Sequence, residues 1–380
     1  MNLKLLLALS SLCVFSSQAT DYNSIRDGSW FVATNTWDPA NIPGNGDTVY
    51  ISHHLYFDST TAAQSVTVGN LNLNGAHLEI GGPATLTAEG ANSMFSGSNF
   101  LSGVLYNQGT VFQSGEGTLA MPCSTHFENL GVGIYNLAGD GTILLRTVSG
   151  GSLPYFNNYG QLRKSSGVGI ALFTDVYLNN LGGSIEVDAG TLVLGSGTSS
   201  NGTFTVAAGA VLDLTGGSSP TWAGVVGGSG AGTVLLASGI LSASPSLTMD
   251  MSGNLFQWTG GRISGVTSNL NTITIAGANS RGIDGTFYNP GTIYHTNTST
   301  IQIHASFYNL AGGTYDFQDG GTLSPYYGIF YNYGLLRKSA GTGTATISSD
   351  FDNNGGSNSG VRDNANATTK ITTWMNLPFT

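Results

Sequence analysis

The sequence is poor in charged residues, and basic residues are the scarcer kind. Its 380 residues include 11 Lys and Arg against 21 Asp and Glu, charged residues make up 8% of the chain, and the formal net charge is −10. Nucleic acids and anionic membrane surfaces attract clusters of Lys and Arg. The composition therefore argues against a nucleic-acid partner and against a membrane-surface role.

Cysteine is almost absent, and long apolar runs occur only at the start of the chain. Residues 1–19 combine Lys4, an apolar segment and the small residues Ser17 and Ala19, which is the pattern of a secretory signal peptide. Removal of this segment takes Cys13 with it and leaves Cys123 as a single thiol, so no internal disulfide forms. No later run approaches the ~18–20 apolar residues of a membrane span. We predict a secreted, extracellular protein with no membrane span.

The chain is rich in glycine and in short stretches in which apolar and polar residues alternate. There are 56 glycines, and 40% of the residues are hydrophobic, which is more than a disordered chain contains. Gly-Thr/Ser-aliphatic steps recur, among them 109–111, 183–185 and 291–293. Their β-branched residues and alternating character indicate short strands, so we predict an all-β fold.

An internal repeat organises most of these strands. The segments 156–169 and 330–343 are identical at ten of 14 positions although they lie in distant parts of the chain. Both contain the motif Phe/Leu-x-Asn-x-Gly, whose copies recur about every 22 residues, a period that is typical of solenoids. The asparagines of these copies are Asn107, Asn129, Asn158, Asn180, Asn289, Asn309, Asn332 and Asn353.

The motif predicts its own structural role. In a strand, Phe and Asn two positions apart lie on one face, and because the aromatic residue belongs in the core, the Asn side chain points inward as well. A buried amide must be hydrogen-bonded, and stacking each Asn on that of the next coil satisfies it. Gly then supplies a tight, left-handed turn. We predict a right-handed parallel β-helix of ~22-residue coils with an Asn ladder; the alternative is an array of β-sandwiches.

The predicted organisation has three parts after the signal peptide. An N-terminal cap covers 20–64. The separation of the repeat copies is about eight times the motif spacing, so we expect a whole number of coils between them. The last segment breaks the pattern, and we expect it to be irregular and the chain to be truncated. The predicted ranges are coils over 65–355, with repeat blocks at about 105–190 and 287–355, variant coils at 192–283, and an irregular end at 356–380.

Three sequence patterns resemble one family of proteins. They are the W-D-P-A-N-x-P-G-x-G-D-x-V-x-I opening at 37–51, the F-x-N-x-G-x-L-x-K-S-x-G coil, and W-T-G-G-x-I-S-G at 258–265. They resemble the large secreted bacterial β-helix repeat proteins, in the style of autotransporter passengers and filamentous-haemagglutinin-like adhesins. The resemblance implies an extracellular, non-catalytic role in adhesion, matrix or surface decoration.

Candidate chemistry is sparse. The densest acids, Glu186 with Asp188, Asp316 with Asp319, and Asp350 with Asp352, are interpreted as solvated surface residues. Apart from the adjacent pair His53 and His54, the histidines are scattered, so we predict no metal site and no cofactor. The strand alternation places a set of candidate contact residues in one outward column. They are Phe112, Arg163, Tyr294 and Arg337, with Glu186 beside Arg163 as an ion-pair partner.

Three functions remain open at this point. The first is a secreted structural or adhesin-like solenoid that binds glycans, cell surfaces or extracellular matrix, or associates end to end with itself. The second is a carbohydrate-active β-helix enzyme, which needs several acids converging in one groove. The third is a non-catalytic carbohydrate-binding module, which needs aromatic residues aligned along one face.

Overall fold

The computed structural model describes most of the chain. The described residues are 18–57, 64–145, 152–215, 219–348, 350–353, 355–360 and 371–373. The predicted signal peptide lies almost wholly outside them. Within these ranges one short helix, α1, covers Ala33–Thr36, and the other regular elements are strands.

The strands are short and follow one another around the coils. The first are β1 (Asp21–Ser24), β2 (Gly28–Ser29), β3 (Trp37–Asp38), β4 (Thr48–Ile51), β5 (His54–Phe57), β6 (Ser65–Val68), β7 (Leu71–Asn74), β8 (His77–Ile80), β9 (Thr85–Ala88), β10 (Ser93–Ser96), β11 (Ser98–Ser102), β12 (Val104–Asn107), β13 (Thr110–Ser114), β14 (Thr118–Met121), β15 (His126–Asn129) and β16 (Ile134–Ala138). The middle strands are β17 (Thr142–Leu145), β18 (Tyr155–Asn158), β19 (Gln161–Ser166), β20 (Ile170–Thr174), β21 (Tyr177–Leu181), β22 (Ser184–Val187), β23 (Thr191–Val193), β24 (Gly197–Ser200), β25 (Thr203–Val206), β26 (Val211–Asp213), β27 (Thr221–Ser229), β28 (Thr233–Leu236), β29 (Ile240–Met251), β30 (Phe256–Trp258) and β31 (Gly261–Ser264). The last are β32 (Thr267–Asn269), β33 (Thr272–Ile275), β34 (Arg281–Ile283), β35 (Phe287–Asn289), β36 (Thr292–His295), β37 (Thr300–Ile303), β38 (Ser306–Asn309), β39 (Thr314–Phe317), β40 (Thr322–Pro325), β41 (Ile329–Asn332), β42 (Leu335–Lys338), β43 (Ala345–Ile347), β44 (Phe351–Asp352), β45 (Ser357–Gly360) and β46 (Ile371–Thr373).

These strands form three parallel stacks, which confirms a parallel β-solenoid. Stack 1 runs β6, β9, β12, β15, β18, β21, β24, the first part of β27 and of β29, β31, β34, β37, β40, β43 and β46. Stack 2 runs β1, β4, β7, β10, β13, β16, β19, β22, β25, the second part of β27 and of β29, β32, β35, β38, β41 and β44. Stack 3 is a separate 16-stranded sheet from β2 to β45. Because β27 and β29 each contribute to both, stacks 1 and 2 form one 30-stranded sheet.

Alternation along the strands builds one continuous core between the stacks. Most strands bury every second side chain, as in the intermediate–buried pattern of β12 and β15. At the N-terminal end Trp30 and Trp37 are 0% and 1% exposed, with ring centroids 4.9 Å apart. There β1 pairs antiparallel with β3 and parallel with β4, so that parallel stacking already begins within the segment predicted as a cap.

The Asn ladder is confirmed, and it consists of two separate ladders. In the first, Asn107 donates to Asn129, which donates to Asn158, which donates to Asn180, at Nδ2–Oδ1 distances of 2.7–2.8 Å. The second ladder has the same geometry, with 2.8 Å at each step from Asn269 through Asn289, Asn309 and Asn332 to Asn353. Asn269, which follows Thr267 and Ser268 in place of an aromatic residue, is a member that the motif does not predict.

The motif glycines do not all serve one purpose. Gly182 and Gly355 have φ values of +75° and +85°, which confirms the predicted left-handed turn at these two copies. Gly160 and Gly334 do not adopt positive φ, but a Cβ on Gly160 would lie 2.2 Å from the Gly133 carbonyl oxygen, and one on Gly334 would lie 2.3 Å from the Gly313 oxygen. These two glycines are required because the backbones of neighbouring coils approach closely.

Equivalent residues of the two repeat blocks lie in different stacks. The blocks are therefore not separated by a whole number of coils, contrary to what the sequence predicts. Asn158 closes β18 in stack 1, whereas its counterpart Asn332 closes β41 in stack 2. Several of the coils between them are shorter than the usual repeat, since Asn180 pairs in register with Ser199 and Arg281 with Ile301. These short coils let one additional face fit between the two copies.

The variant middle coils continue the same three stacks. Two further strands extend these stacks into the segment that is predicted to be irregular. β45 pairs in parallel with β42, and β46 pairs in parallel with β43. Parallel pairing needs only extended backbone, so it persists where the sequence motif has ended. Residues 361–370 and 374–380 lie outside the described part of the chain.

Candidate binding surface

The predicted outward column divides between two faces. Phe112 and Arg163 lie in stack 2, where Asn136 separates them in register. Tyr294 and Arg337 lie in stack 3, where Asp316 separates them. All four predicted contact residues are half-buried and point outward, but the phase difference between the repeat blocks places them on two surfaces. The prediction of one shared column is therefore wrong.

On stack 2, Arg163 lies between two carboxylates. Its Nε is 3.5 Å from Glu186 Oε2, and its Nη2 is 2.7 Å from Asp188 Oδ2, which confirms that Arg163 and Glu186 meet across adjacent strands. The hydrogen bond with Asp188 raises the pKa of the Arg163 guanidinium. All three side chains are 24–40% exposed, so the group is a surface ion-pair cluster.

On stack 3, Asp316 is not the solvated acid that the sequence suggested. It is 0% exposed, because Tyr294 and Arg337 flank it in register. Its Oδ2 lies 2.9 Å from Arg337 Nη2 and accepts a hydrogen bond from Ser339 Oγ at 2.8 Å. Beside this row, a shallow polar cleft is lined by Asn254, Thr274, Tyr294, Thr296 and Gln318.

The lysines of the repeated Arg-Lys-Ser sequence point into the solenoid. Lys164 is 0% exposed and Lys338 is 2% exposed. Lys164 Nζ is 2.7 Å from Asp140 Oδ1 and also donates to the carbonyl oxygens of Gly139, Ser166 and Gly167. The Lys164 hydrogen bond lowers the pKa of the Asp140 carboxyl. Lys338 Nζ donates to carbonyl oxygens of its own turn, so the repeated pair has a structural role.

A row of tyrosines lies along the outer face of stack 2 in the second repeat block. Tyr288, Tyr308 and Tyr331 are register partners on successive coils, with ring centroids 5.2 and 4.8 Å apart and nearly parallel planes. Each inner ring face is covered by the next ring. The row therefore offers ring edges along its length, and the face of Tyr288 lies next to the small residue Ser268.

A second row on stack 3 brings two histidines and an acid together. His54 and His77 are register partners on β5 and β8, and their rings stack with centroids 3.9 Å apart at an interplanar angle of 5°. Both direct Nε2 at Glu79 Oε1, at 3.3 and 2.9 Å. The prediction of scattered histidines missed this group. Two signals in the sequence could have found it: His54 and His77 are about one coil apart, and Glu79 follows His77 by two positions on the same face.

A buried polar group lies in the core near the second block. His295 Nδ1 is 2.9 Å from the Tyr315 hydroxyl, and His295 Nε2 is 3.1 Å from Ser299 Oγ, which is also 2.6 Å from Arg281 Nη1. Burial, with a contribution from Arg281, lowers the pKa of His295 to about 4. These side chains are enclosed by the coils and form an internal network.

Comparisons with protein-family models, with curated proteins and with solved structures found no match. Among the described residues, no helix is long and apolar enough to cross a membrane. The surface chemistry of the solenoid is therefore what bears on its function.

Proposed function

We propose that the chain is a secreted, non-catalytic solenoid that serves as an extracellular structural or adhesive element. The observation that supports this most is that several of its acids meet basic or amide partners, nearly all of them on a neighbouring coil. These contacts are Glu79 with His54 and His77, Glu128 with Asn157, Asp140 with Lys164, Glu186 and Asp188 with Arg163, Asp284 with Arg262, and Asp316 with Arg337.

Glycoside cleavage requires two carboxyl groups flanking the bond to be cut, with space between them for substrate or water. Glu186 and Asp188 are two acids that lie two positions apart and meet the same guanidinium. The Arg163 guanidinium occupies the space between them. This arrangement favours a charge-compensated surface over a general acid with its base.

A carbohydrate-binding role is the second candidate, and the tyrosine row supports it. Stacked rings at 4.8–5.2 Å spacing form a regular ridge of aromatic edges, and aromatic side chains are a common surface for sugar contact. The row differs from a flat platform, since most ring faces are already covered. We expect contact at Tyr288 and through the edges of Tyr308 and Tyr331.

The test is a glycan and matrix-protein array combined with a cleavage assay on every polysaccharide that binds. We expect binding without release of new chain ends. Tyr288→Ala should weaken glycan binding if the row is the contact surface, whereas Tyr177→Ala, in a stacked pair on stack 1, serves as the matched control. If glycan binding is lost only in Phe112→Ala and Tyr294→Ala, those two residues form the contact surface and the tyrosine row does not. Cleavage that persists through repurification would overturn the non-catalytic proposal.

A further inference from the structure

We propose that His54, His77 and Glu79 form a binding site for a divalent transition-metal ion of the zinc type, on the outer face of stack 3 near the N-terminal end. Within the described residues, these three side chains place one ligand atom each within 4.8 Å of one another. Two imidazoles and one carboxylate are a ligand set that zinc accepts, with a fourth position open to water.

The distances support a metal centre. Zinc bonds of about 2.0–2.1 Å in a tetrahedral arrangement place neighbouring ligand atoms about 3.3 Å apart. The two nitrogen–oxygen separations are 3.3 and 2.9 Å, so both are already close to that spacing. Because the two rings lie in nearly parallel planes with centroids 3.9 Å apart, binding requires one imidazole to turn out of the stack until both Nε2 lone pairs point at one ion.

The neighbouring residues fix the position of the His77 ring and the start of β5. The His77 ring lies between the His54 ring and Phe100, whose centroid is 3.9 Å away. The backbone N–H of His54 donates to Asp27 Oδ1 at 2.8 Å, which fixes the start of β5. His53 does not join the group, because its Nδ1 contacts Ser24 Oγ at 2.8 Å.

The Glu79 carboxylate places a negative charge beside both imidazoles, which favours a bound cation. The side chains are 33–44% exposed, whereas the two Nε2 atoms themselves are buried against the Glu79 carboxylate.

The chain also contains a matched control. His126 and Glu128 repeat the His-x-Glu spacing on β15, with 3.8 Å between His126 Nδ1 and Glu128 Oε1. The register neighbours of His126 are Val104 and Tyr155, so its two register positions hold no second imidazole. His126→Ala therefore removes the same local spacing without removing the proposed site.

The experiment is calorimetric titration of the full chain, without a histidine tag, with zinc chloride and with cobalt chloride at pH 7.5. We expect one ion per chain and a cobalt absorption spectrum typical of nitrogen and oxygen ligands. Binding should weaken about 10–100-fold or more in His77→Ala and in Glu79→Gln, and remain unchanged in His126→Ala. Calcium and magnesium should not compete, because they prefer all-oxygen sites. Because protons compete for imidazole nitrogens, affinity should fall at pH 5.5.

Circular dichroism and hydrogen exchange identify any variant that fails to fold. If His77→Ala does not fold, Glu79→Gln tests the site, because it changes the side chain least. The proposal is overturned if the wild-type chain binds no zinc, or if binding survives in both His77→Ala and Glu79→Gln. It is also overturned if His126→Ala removes binding while those two variants retain it. None of these results bears on the glycan experiment. The metal-site proposal and the proposed function can therefore be overturned independently of each other.

Discussion

The replacement of Asn158 by Ala tests the first ladder at its centre. Asn158 is 0% exposed, donates to Asn180 Oδ1 and to the Ser184 carbonyl oxygen at 2.8 and 3.0 Å, and accepts from Asn129 Nδ2 at 2.7 Å. A net loss of about 1 kcal/mol for each of the three hydrogen bonds, with a further 1–3 kcal/mol for a buried group deprived of its partner, predicts that the free energy of unfolding falls by about 4–6 kcal/mol.

Asn157 provides the control, since it lies on the same strand and faces outward. It contacts Glu128 and Asn179 at the surface, so Asn157→Ala should cost less than about 1 kcal/mol. Urea denaturation followed by circular dichroism compares the two variants. Because each coil contacts only its neighbours, hydrogen exchange should accelerate mainly in β15, β18 and β21 of Asn158→Ala. Equal stability of the two variants would refute the ladder as a source of stability.

Three further predictions concern buried groups. Lys164→Ala should lower the free energy of unfolding by about 3 kcal/mol, because it leaves Asp140 and three turn carbonyls without their donor. Gly160→Ala should cost about 1–3 kcal/mol through its clash with backbone oxygens. For His295, the folded-state pKa of about 4 lies below the ordinary 6.5, so the unfolded chain takes up the proton first. Stability should fall by up to about 3 kcal/mol as the pH drops from 6.5 to 4.

Each of these has its own check by urea denaturation. Lys338→Ala should cost less than Lys164→Ala, because Lys338 donates to two turn carbonyls where Lys164 also meets a carboxylate. Gly131→Ala has open space around the new Cβ and should change stability by less than about 0.5 kcal/mol. The slope of stability below pH 6.5 should flatten in His295→Gln and stay unchanged in His126→Gln. An unchanged slope in His295→Gln would count against the assignment.

The solenoid and its ladders could be predicted because they depend on local, repeated chemistry. Each inward Asn of the motif follows an inward aromatic or aliphatic residue by two positions, and a buried amide has few other ways to be hydrogen-bonded. The phase of the second block could not be predicted in this way. Counting residues between motif copies gives only an average coil length. A single short coil, such as the one from Asn180 to Ser199, becomes visible only when the strand pairing is known.

The buried lysines show what alternation alone indicates. Alternation from Leu162 places Arg163 outward and Lys164 inward. Lysine is rarely buried without partners, and its partners here could not be predicted, because the turn carbonyls that receive the ammonium group are assembled from two coils. In the group of His54, His77 and Glu79, the spacing of His77 and Glu79 is visible in the sequence, whereas His54 joins them through the register of β5 with β8.

The stacking register underlies the ladders, the surface rows and the metal site, and one cross-linking measurement tests it directly. Ser242 and Ser264 are register partners in stack 1 with Oγ atoms 3.2 Å apart, whereas Ser268 pairs with Thr248 in stack 2. In a Cys123→Ser background, the pair Ser242→Cys and Ser264→Cys should form a disulfide under mild oxidation, as detected by peptide mapping. Ser242→Cys with Ser268→Cys should not. Cross-linking of the second pair in preference to the first would contradict the register, and with it the account of this fold.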